Sequence, residues 1–138
     1  MRIRKLNRSD YNSYISLLDQ LTEVGSVTNS QFNLYVDNQS QLHQTLVYEE
    51  DNQLLGCLTY FCEQKVHHSF SYVIHIEDVV TDAKHRGKGV AKTLIDNAIK
   101  IAKAFKCYKV ILNCSDRNTD YYKKLGFQLV GNQMVIKF

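Results

Sequence analysis

His85-Arg86-Gly87-Lys88-Gly89-Val90-Ala91-Lys92 sets two glycines and four basic residues between an apolar strand, Val73 to Val80, and a long amphipathic helix that opens near Gly89. Glycine has no Cβ, so the backbone can turn sharply there and lay its N–H groups against a bulky anion. The helix start adds unpaired N–H donors and a partial positive charge. Strand, basic Gly-x-Gly turn and helix together form a pyrophosphate-binding device. The phosphates belong to a cofactor or a substrate.

Working outward from that turn, Val90, Leu94, Ile95, Ala98, Ile101, Ala102 and Phe105 trace one helical stripe, so the helix runs from Gly89 to Phe105. Lys109 to Cys114 follows as a short strand centred on Val110-Ile111-Leu112. Asn118 caps a brief helix through Leu125, and Gly126 ends it. Phe127 to Val130 and Met134 to Phe138 read as two strands around a Gly131-Asn132 turn. Upstream, Arg2 to Leu6 reads as a strand. Ser9 and Asp10 offer a cap for a helix through about Glu23, with Tyr14, Leu17, Leu18 and Leu21 on one face. The Val24-Gly25-Ser26 break ends it, and Thr28 or Asn29 caps a short helix carrying Phe32, Leu34 and Tyr35. Leu46-Val47-Tyr48 and Leu54 to Cys62 flank an Asp51-Asn52 hairpin turn, and a third strand runs from about Ser69 to Val80. The result is one α/β domain, 1–138, antiparallel first and βαβ-like later.

Bulk properties narrow the function. The chain has 138 residues, 44% hydrophobic and 22% charged, as expected of a globular protein. Its net charge of +3 suits a small anion and falls short of the basic footprint of a nucleic-acid binder. No apolar run approaches the roughly 20 residues that span a bilayer, and the N-terminus lacks the apolar stretch of a secretion signal. A cytoplasmic protein with no membrane partner is the simplest reading. Cys57, Cys62, Cys107 and Cys114 show no zinc spacing and read as buried, reduced thiols, so no metal site is expected.

Arg86-Gly87-Lys88-Gly89-Val90-Ala91 fills the Arg/Gln-x-x-Gly-x-Gly/Ala signature of the Gcn5-related N-acetyltransferase (GNAT) superfamily, which the order of elements also resembles. His75-Ile76-Glu77-Asp78-Val79-Val80, Leu94-Ile95-Asp96, Cys107-Tyr108-Lys109-Val110-Ile111-Leu112 and Tyr122-Lys123-Lys124-Leu125-Gly126-Phe127 are similar to the glucosamine 6-phosphate N-acetyltransferase family within it. Leu21-Thr22-Glu23-Val24-Gly25 resembles that family's N-terminal substrate loop.

The resemblance implies a mixed, mostly antiparallel sheet with a splayed central strand pair and flanking helices. It implies acetyl-CoA as co-substrate, held at Arg86, Gly87, Lys88, Gly89, Val90, Ala91 and Lys92. The pantetheine arm would lie on the backbone of a bulged Val79, Val80 and Thr81, with the Val79 amide facing the thioester oxygen. Tyr122 takes the place of the general acid, with Tyr121 as a neighbouring decoy and packing as the plainer role. Asn118, on the same helical face as Tyr122, serves the pantetheine, the helix cap, or both.

For the sugar, the resemblance assigns Thr22, Lys65, Val66, His67, His68, Tyr108, Lys109 and Lys137, with Glu77 and Asp78 for its hydroxyls and amine. Thr22 otherwise ends its helix, and the Lys-Val-His-His turn reads equally as a solvated loop. Glu77 and Asp78 point to opposite faces of a regular strand, so one meets an inward environment unless the strand is bulged. At Asn113 the family has an acid. Asparagine can orient the amine through its carbonyl but cannot take its proton as a carboxylate would.

The implied activity is acetylation of glucosamine 6-phosphate in UDP-GlcNAc synthesis, by direct attack in a ternary complex. The implied assembly is a homodimer in which the C-terminal strands help build the partner's sugar site. Acetylation of another amine (amino sugar, polyamine or protein N-terminus) and non-catalytic acyl-CoA sensing are the alternatives.

Overall fold

A computed structural model describes residues 1–138. Five strands form one sheet in sequence order: β1 (Arg2–Lys5), β2 (His43–Glu50), β3 (Gln53–Gln64), β4 (Tyr72–Thr81) and β5 (Lys109–Leu112). The first four are antiparallel, and β5 lies parallel to β4. The expected mostly antiparallel sheet with a late βαβ unit is therefore observed. The β2–β3 hairpin turns through Asp51 and Asn52, both at positive φ (50° and 60°), the geometry that matches strand twist in two-residue loops.

Helices cover both faces. α4 (Val90–Ala104) buries Val90, Leu94, Ile95, Ala98 and Ala102 against Leu58, Tyr60, Ile74 and Ile76. On the other face, Tyr14 and Leu17 of α1 (Tyr11–Asp19) and Phe32 of α2 (Asn29–Asp37) pack on Val47, Cys57 and Val80. No helix is long and apolar enough to cross a membrane.

Several boundaries differ from the sequence reading, each for a local reason. The first cap is Asn7, whose side chain accepts from the Ser9 N–H while the Asp10 carboxylate accepts from the Asn7 N–H at 2.9 Å. Asp10 is also held in a two-pronged pair with Arg4 at 2.8 and 2.9 Å. α1 stops at Asp19 rather than near Glu23, with Gln20 as its C-cap, and the Gln20 side chain bonds to Asp82 and to the Ala83 N–H. Thr28 caps α2 in a reciprocal box with Gln31, and Leu34 is exposed. β4 begins at Tyr72, not Ser69, since His68, Ser69 and Phe70 take left-handed φ values within a single helical turn, α3 (His67–Phe70). β5 ends at Leu112, where its pairing with β4 ceases. Cys57 and Cys62 are buried, Cys107 is half-buried, and Cys114, beyond the end of β5, is exposed.

The two C-terminal strands do not form. Beyond α5 (Thr119–Lys124) and Gly126, the chain from 127 to 138 carries no strand. Met134 is 92% and Ile136 82% exposed. Strand-prone residues need a ladder partner to become a strand, and these find none within their own chain.

Candidate active site

One extra residue in β4 creates the site. Cys57 pairs with Val80, but Thr59 pairs with Glu77, so Asp78 and Val79 together oppose Leu58. This is a β-bulge, and Asp78 takes the strain at φ 49°. Parallel pairing with β5 ends at Ile76 opposite Leu112. From Glu77 to Thr81, the edge of β4 that would meet β5 has no strand beside it, so the splay expected from the resemblance is present.

A cleft of about 360 Å³ opens where the strands part. Glu77, Asp78 and Val79 form one wall, Asn113 and Cys114 the other, and Asn118 and Tyr122 close the end. Alternation alone would send Glu77 and Asp78 to opposite faces. The bulge instead leaves both exposed and both on the cleft.

The two tyrosines of α5 separate cleanly. Tyr122 lines the cleft, its ring edge-on to Phe127 at 5.9 Å. Burial pushes its hydroxyl above the ordinary tyrosine value, and Tyr121 and Cys114 nearby add to the rise. A group so shifted stays protonated at neutral pH, as a proton donor must. Tyr121 is absent from the cleft lining and faces the charges of Lys92 and Asp96 on α4. Asn118 also lines the cleft, and its side chain makes no cap hydrogen bond, so the capping role expected of it is not taken up.

The anion turn stands at the start of α4. Gly87 and Gly89 hold φ 77° and 81°, conformations side chains resist, with Gly89 at the N-cap. Arg86 and Lys88 are exposed, and neither forms an ion pair. Val90 is buried, Ala91 half-buried, and Lys92 pairs with Asp96 at 2.7 Å.

Three residues outside the stretch from His85 to Lys92, namely Gln20, Gly56 and Asp82, support this turn together with His85. The Asp82 carboxylate accepts from Gln20 at 2.9 Å and pairs with His85 at 2.6 Å, contacts that hold it below the usual carboxylate range. The turn is thereby tied back to α1. Gly56 acts by what it lacks: a Cβ there would lie 2.6 Å from the Val90 side chain and 3.0 Å from the Val80 carbonyl. Its sequence signal is a lone glycine within a strand pattern.

The remaining candidates gather elsewhere. His68 stacks on Tyr108 at 4.1 Å, His67 meets the same ring edge-on at 6.0 Å, and the Lys109 ammonium lies 5.5 Å from its centre. Lys65 pairs with Glu63 at 3.0 Å, and Val66 is exposed. This cluster sits where Val73 pairs with Lys109, at the closed end of the β4–β5 pair. Asn113 is four residues further along the chain, roughly 13 Å at ~3.3 Å per residue. Thr22 is exposed just past α1, where its neighbour Leu21 reaches the cleft, and Lys137 lies in the exposed tail.

Comparison with known proteins agrees with this geometry. The sequence model of the acetyltransferase (GNAT) family matches residues 6–127. The chain is similar to glucosamine 6-phosphate N-acetyltransferase of Candida albicans, at 33% identity over 140 residues, covering 98% of this chain and 94% of that one. It is 36% identical to a probable glucosamine 6-phosphate N-acetyltransferase 2 of Oryza sativa subsp. japonica, covering 100% of this chain and 88% of the other. The crystal structure of glucosamine-6-phosphate N-acetyltransferase from Arabidopsis thaliana superposes with a TM-score of 0.95 at 35% identity, covering 99% of this chain and 97% of that one.

Proposed function

The chain belongs to the acetyltransferase (GNAT) family, and on that premise we propose that it moves the acetyl group of acetyl-CoA to the amine of glucosamine 6-phosphate. The product is N-acetylglucosamine 6-phosphate. The observation that carries this reading is the bulged, splayed end of β4, which sets Val79, Asn113 and Tyr122 around one cleft.

Each part of the site has a task in that reaction. The Gly87 to Gly89 amides, the α4 N-terminus and the cations Arg86 and Lys88 hold the pyrophosphate of the coenzyme. The backbone from Val79 to Thr81, without a strand alongside, pairs with the pantetheine arm, and Asn118 meets it from across the cleft. The Val79 N–H donates to the thioester oxygen, where negative charge develops as the amine attacks. Glu77 and Asp78 accept from the sugar, and the Asn113 carbonyl orients its amine. The C–N bond forms, the C–S bond breaks, Tyr122 protonates the departing thiolate, and the nitrogen releases a proton to solvent, from which Tyr122 regains its own. Attack is direct, with no acyl-enzyme: Cys114 lines the cleft, but no histidine does.

The sugar's phosphate needs cations that the cleft of one chain supplies only through Arg117. His67, His68, Tyr108 and Lys109 gather at the other end of the strand pair, and Lys65 is paired with Glu63. A second copy of the chain, docked through the exposed Met134–Phe138 tail with Lys137, brings such a cluster to each cleft. The working unit is then a homodimer.

Free thiol release from acetyl-CoA tests the reading, with glucosamine 6-phosphate run beside unphosphorylated glucosamine. Release with the phosphorylated sugar alone supports reaction and phosphate recognition together. No release with either sugar, despite coenzyme binding, removes the sugar assignment.

A further inference from the structure

The anion turn and the acceptor side of the cleft meet in one side chain, Gln20. It ends α1 as the C-cap, and the next residue, Leu21, lines the cleft. Both ends of the Gln20 amide are taken by the segment that precedes the anion turn. Nε2 donates to Asp82 Oδ1 at 2.9 Å, and Oε1 accepts from the Ala83 N–H at 2.8 Å. Every polar atom of Asp82 is engaged. Its N–H donates to the Leu55 carbonyl at 2.8 Å, its carbonyl accepts from the His85 N–H at 2.8 Å, and Oδ2 pairs with His85 Nδ1 at 2.6 Å. Arg86 and the two turn glycines follow directly. A shift of the anion turn, passed back through His85 and Asp82, therefore moves the partners of Gln20.

On the other side of Gln20 the chain has little of its own to hold it. Leu21 and Thr22 donate to the Leu18 carbonyl at 2.9 and 3.0 Å, but no backbone–backbone hydrogen bond is donated from Glu23 to Val27. A segment bonded so sparsely shifts at low cost. Gln20 itself is exposed, and exposed hydrogen bonds add little to global stability. What its two bonds accomplish is placement. We infer that Gln20 is a positioning residue through which an occupied pyrophosphate turn raises the affinity of the cleft for the amino sugar.

The inference rests on the acetyl-transfer reading above. A diphosphate on the Gly87 to Gly89 amides holds the turn in the arrangement that satisfies both ends of the Gln20 amide. Gln20, so held, fixes the end of α1 and with it Leu21 and Thr22 on the acceptor side of the cleft. Linkage makes the effect mutual, so sugar in the cleft tightens diphosphate binding by the same factor.

The test uses adenosine 3′-phosphate 5′-diphosphate, which carries the diphosphate of the coenzyme and lacks the pantetheine arm, so that it touches no sugar in the cleft. Isothermal titration calorimetry gives the Kd of glucosamine 6-phosphate on the full chain, with and without saturating nucleotide. It is run on the unaltered protein, on Gln20→Leu and on Gln20→Ala. The expected result is a sugar Kd that the nucleotide lowers about fivefold or more in the unaltered protein and less than about twofold in both variants. The melting temperatures of the variants stay within about 4 °C of the unaltered protein. A merely structural glutamine would change both Kd values by one factor and leave their ratio alone. The unaltered ratio in a folded variant, or no effect of nucleotide in the unaltered protein, would overturn the inference and leave the sugar reading intact. No sugar binding in any condition, with nucleotide bound, would remove the sugar assignment and this inference with it.

Discussion

The two halves of β4 share a strand and little else. From Tyr72 to Ile76 it is paired on both edges, to β3 and to β5, with Val73, Ile74 and Ile76 almost fully buried. From Glu77 to Thr81 it is bulged, paired on one edge, and exposed at Glu77 and Asp78. The first half is core and the second is site, and the change happens across one inserted residue. Core needs strict alternation, because a slip of one residue turns every side chain to the wrong face. A site needs backbone amides and carboxylates that the sheet has not already used. The bulge meets both needs by spending Asp78 in a conformation that costs on the order of 1–3 kcal/mol in a non-glycine residue. Aspartate is among the residues that tolerate it best.

If that division holds, damage at the open end removes chemistry and damage at the closed end removes stability. The largest effect is expected from Tyr122→Phe, which keeps the ring against Phe127 and removes the proton donor. We expect kcat to fall by about 10²–10⁴-fold with the melting temperature little changed, while Tyr121→Phe stays within about threefold of the unaltered protein. The pH profile carries a second signature. Burial raises the Tyr122 pKa, so the hydroxyl stays protonated through the ordinary tyrosine range. Alkaline loss of rate from this group is therefore displaced upward from that of an ordinary tyrosine, and an alkaline limb that disappears with Tyr122→Phe identifies it. Equal losses from both phenylalanine variants would mean that the pair acts through packing.

Deleting Asp78 attacks the comparison directly, since it restores plain alternation between β3 and β4. We expect kcat to drop by about 10²–10³-fold, the scale of one lost oxyanion donor. Circular dichroism should still show a folded sheet. Retained activity in a folded deletion variant would show that the bulge is not the source of the site. At the closed end, Ile74→Ala removes a fully buried side chain. A loss of about 2–5 kcal/mol is expected in a denaturant titration, with KM for both substrates unchanged. A catalytic defect without that loss would erase the distinction between the halves.

Much of this division could be read from residues. The glycines and cations from Arg86 to Lys92 identify the anion turn through geometry that few other residues reach, and the stripe from Val90 to Phe105 fixes the helix behind it. Tyr122 is found by resemblance, and helical spacing then sets Asn118 on the same face once the brief helix is placed. The bulge was placed by resemblance, and its local signal was the adjacent acids Glu77 and Asp78, one of which a regular strand would turn inward. Gln20 and Asp82 escaped notice because their bond joins positions 62 residues apart. The tail from Met134 to Phe138 has the composition of a strand, and composition cannot say whether a partner strand stands beside it. The separation of Glu77 from Tyr108 followed from the parallel register of β4 and β5, which two short apolar strands leave undetermined until they are paired.

The smallest effect is the one that tests how little the open end needs. The cleft's carboxylates, Glu77 and Asp78, both stand on β4, and the facing position on the far wall is Asn113. An amino sugar is a weak base, so a useful fraction of it is free amine near neutral pH without help. On that account the rate at low sugar concentration follows the free-amine fraction, rising with pH and levelling once the amine is deprotonated. Asn113→Asp places an acceptor for the amine's proton on the opposite wall. It should flatten the acid side of the profile while changing kcat/KM at the plateau by less than about tenfold, the lower end of what a positioned base contributes being higher than that. A plateau gain of a hundredfold would show that positioning by the asparagine carbonyl is insufficient, and that proton removal, not presentation of the thioester by the bulge, limits the reaction.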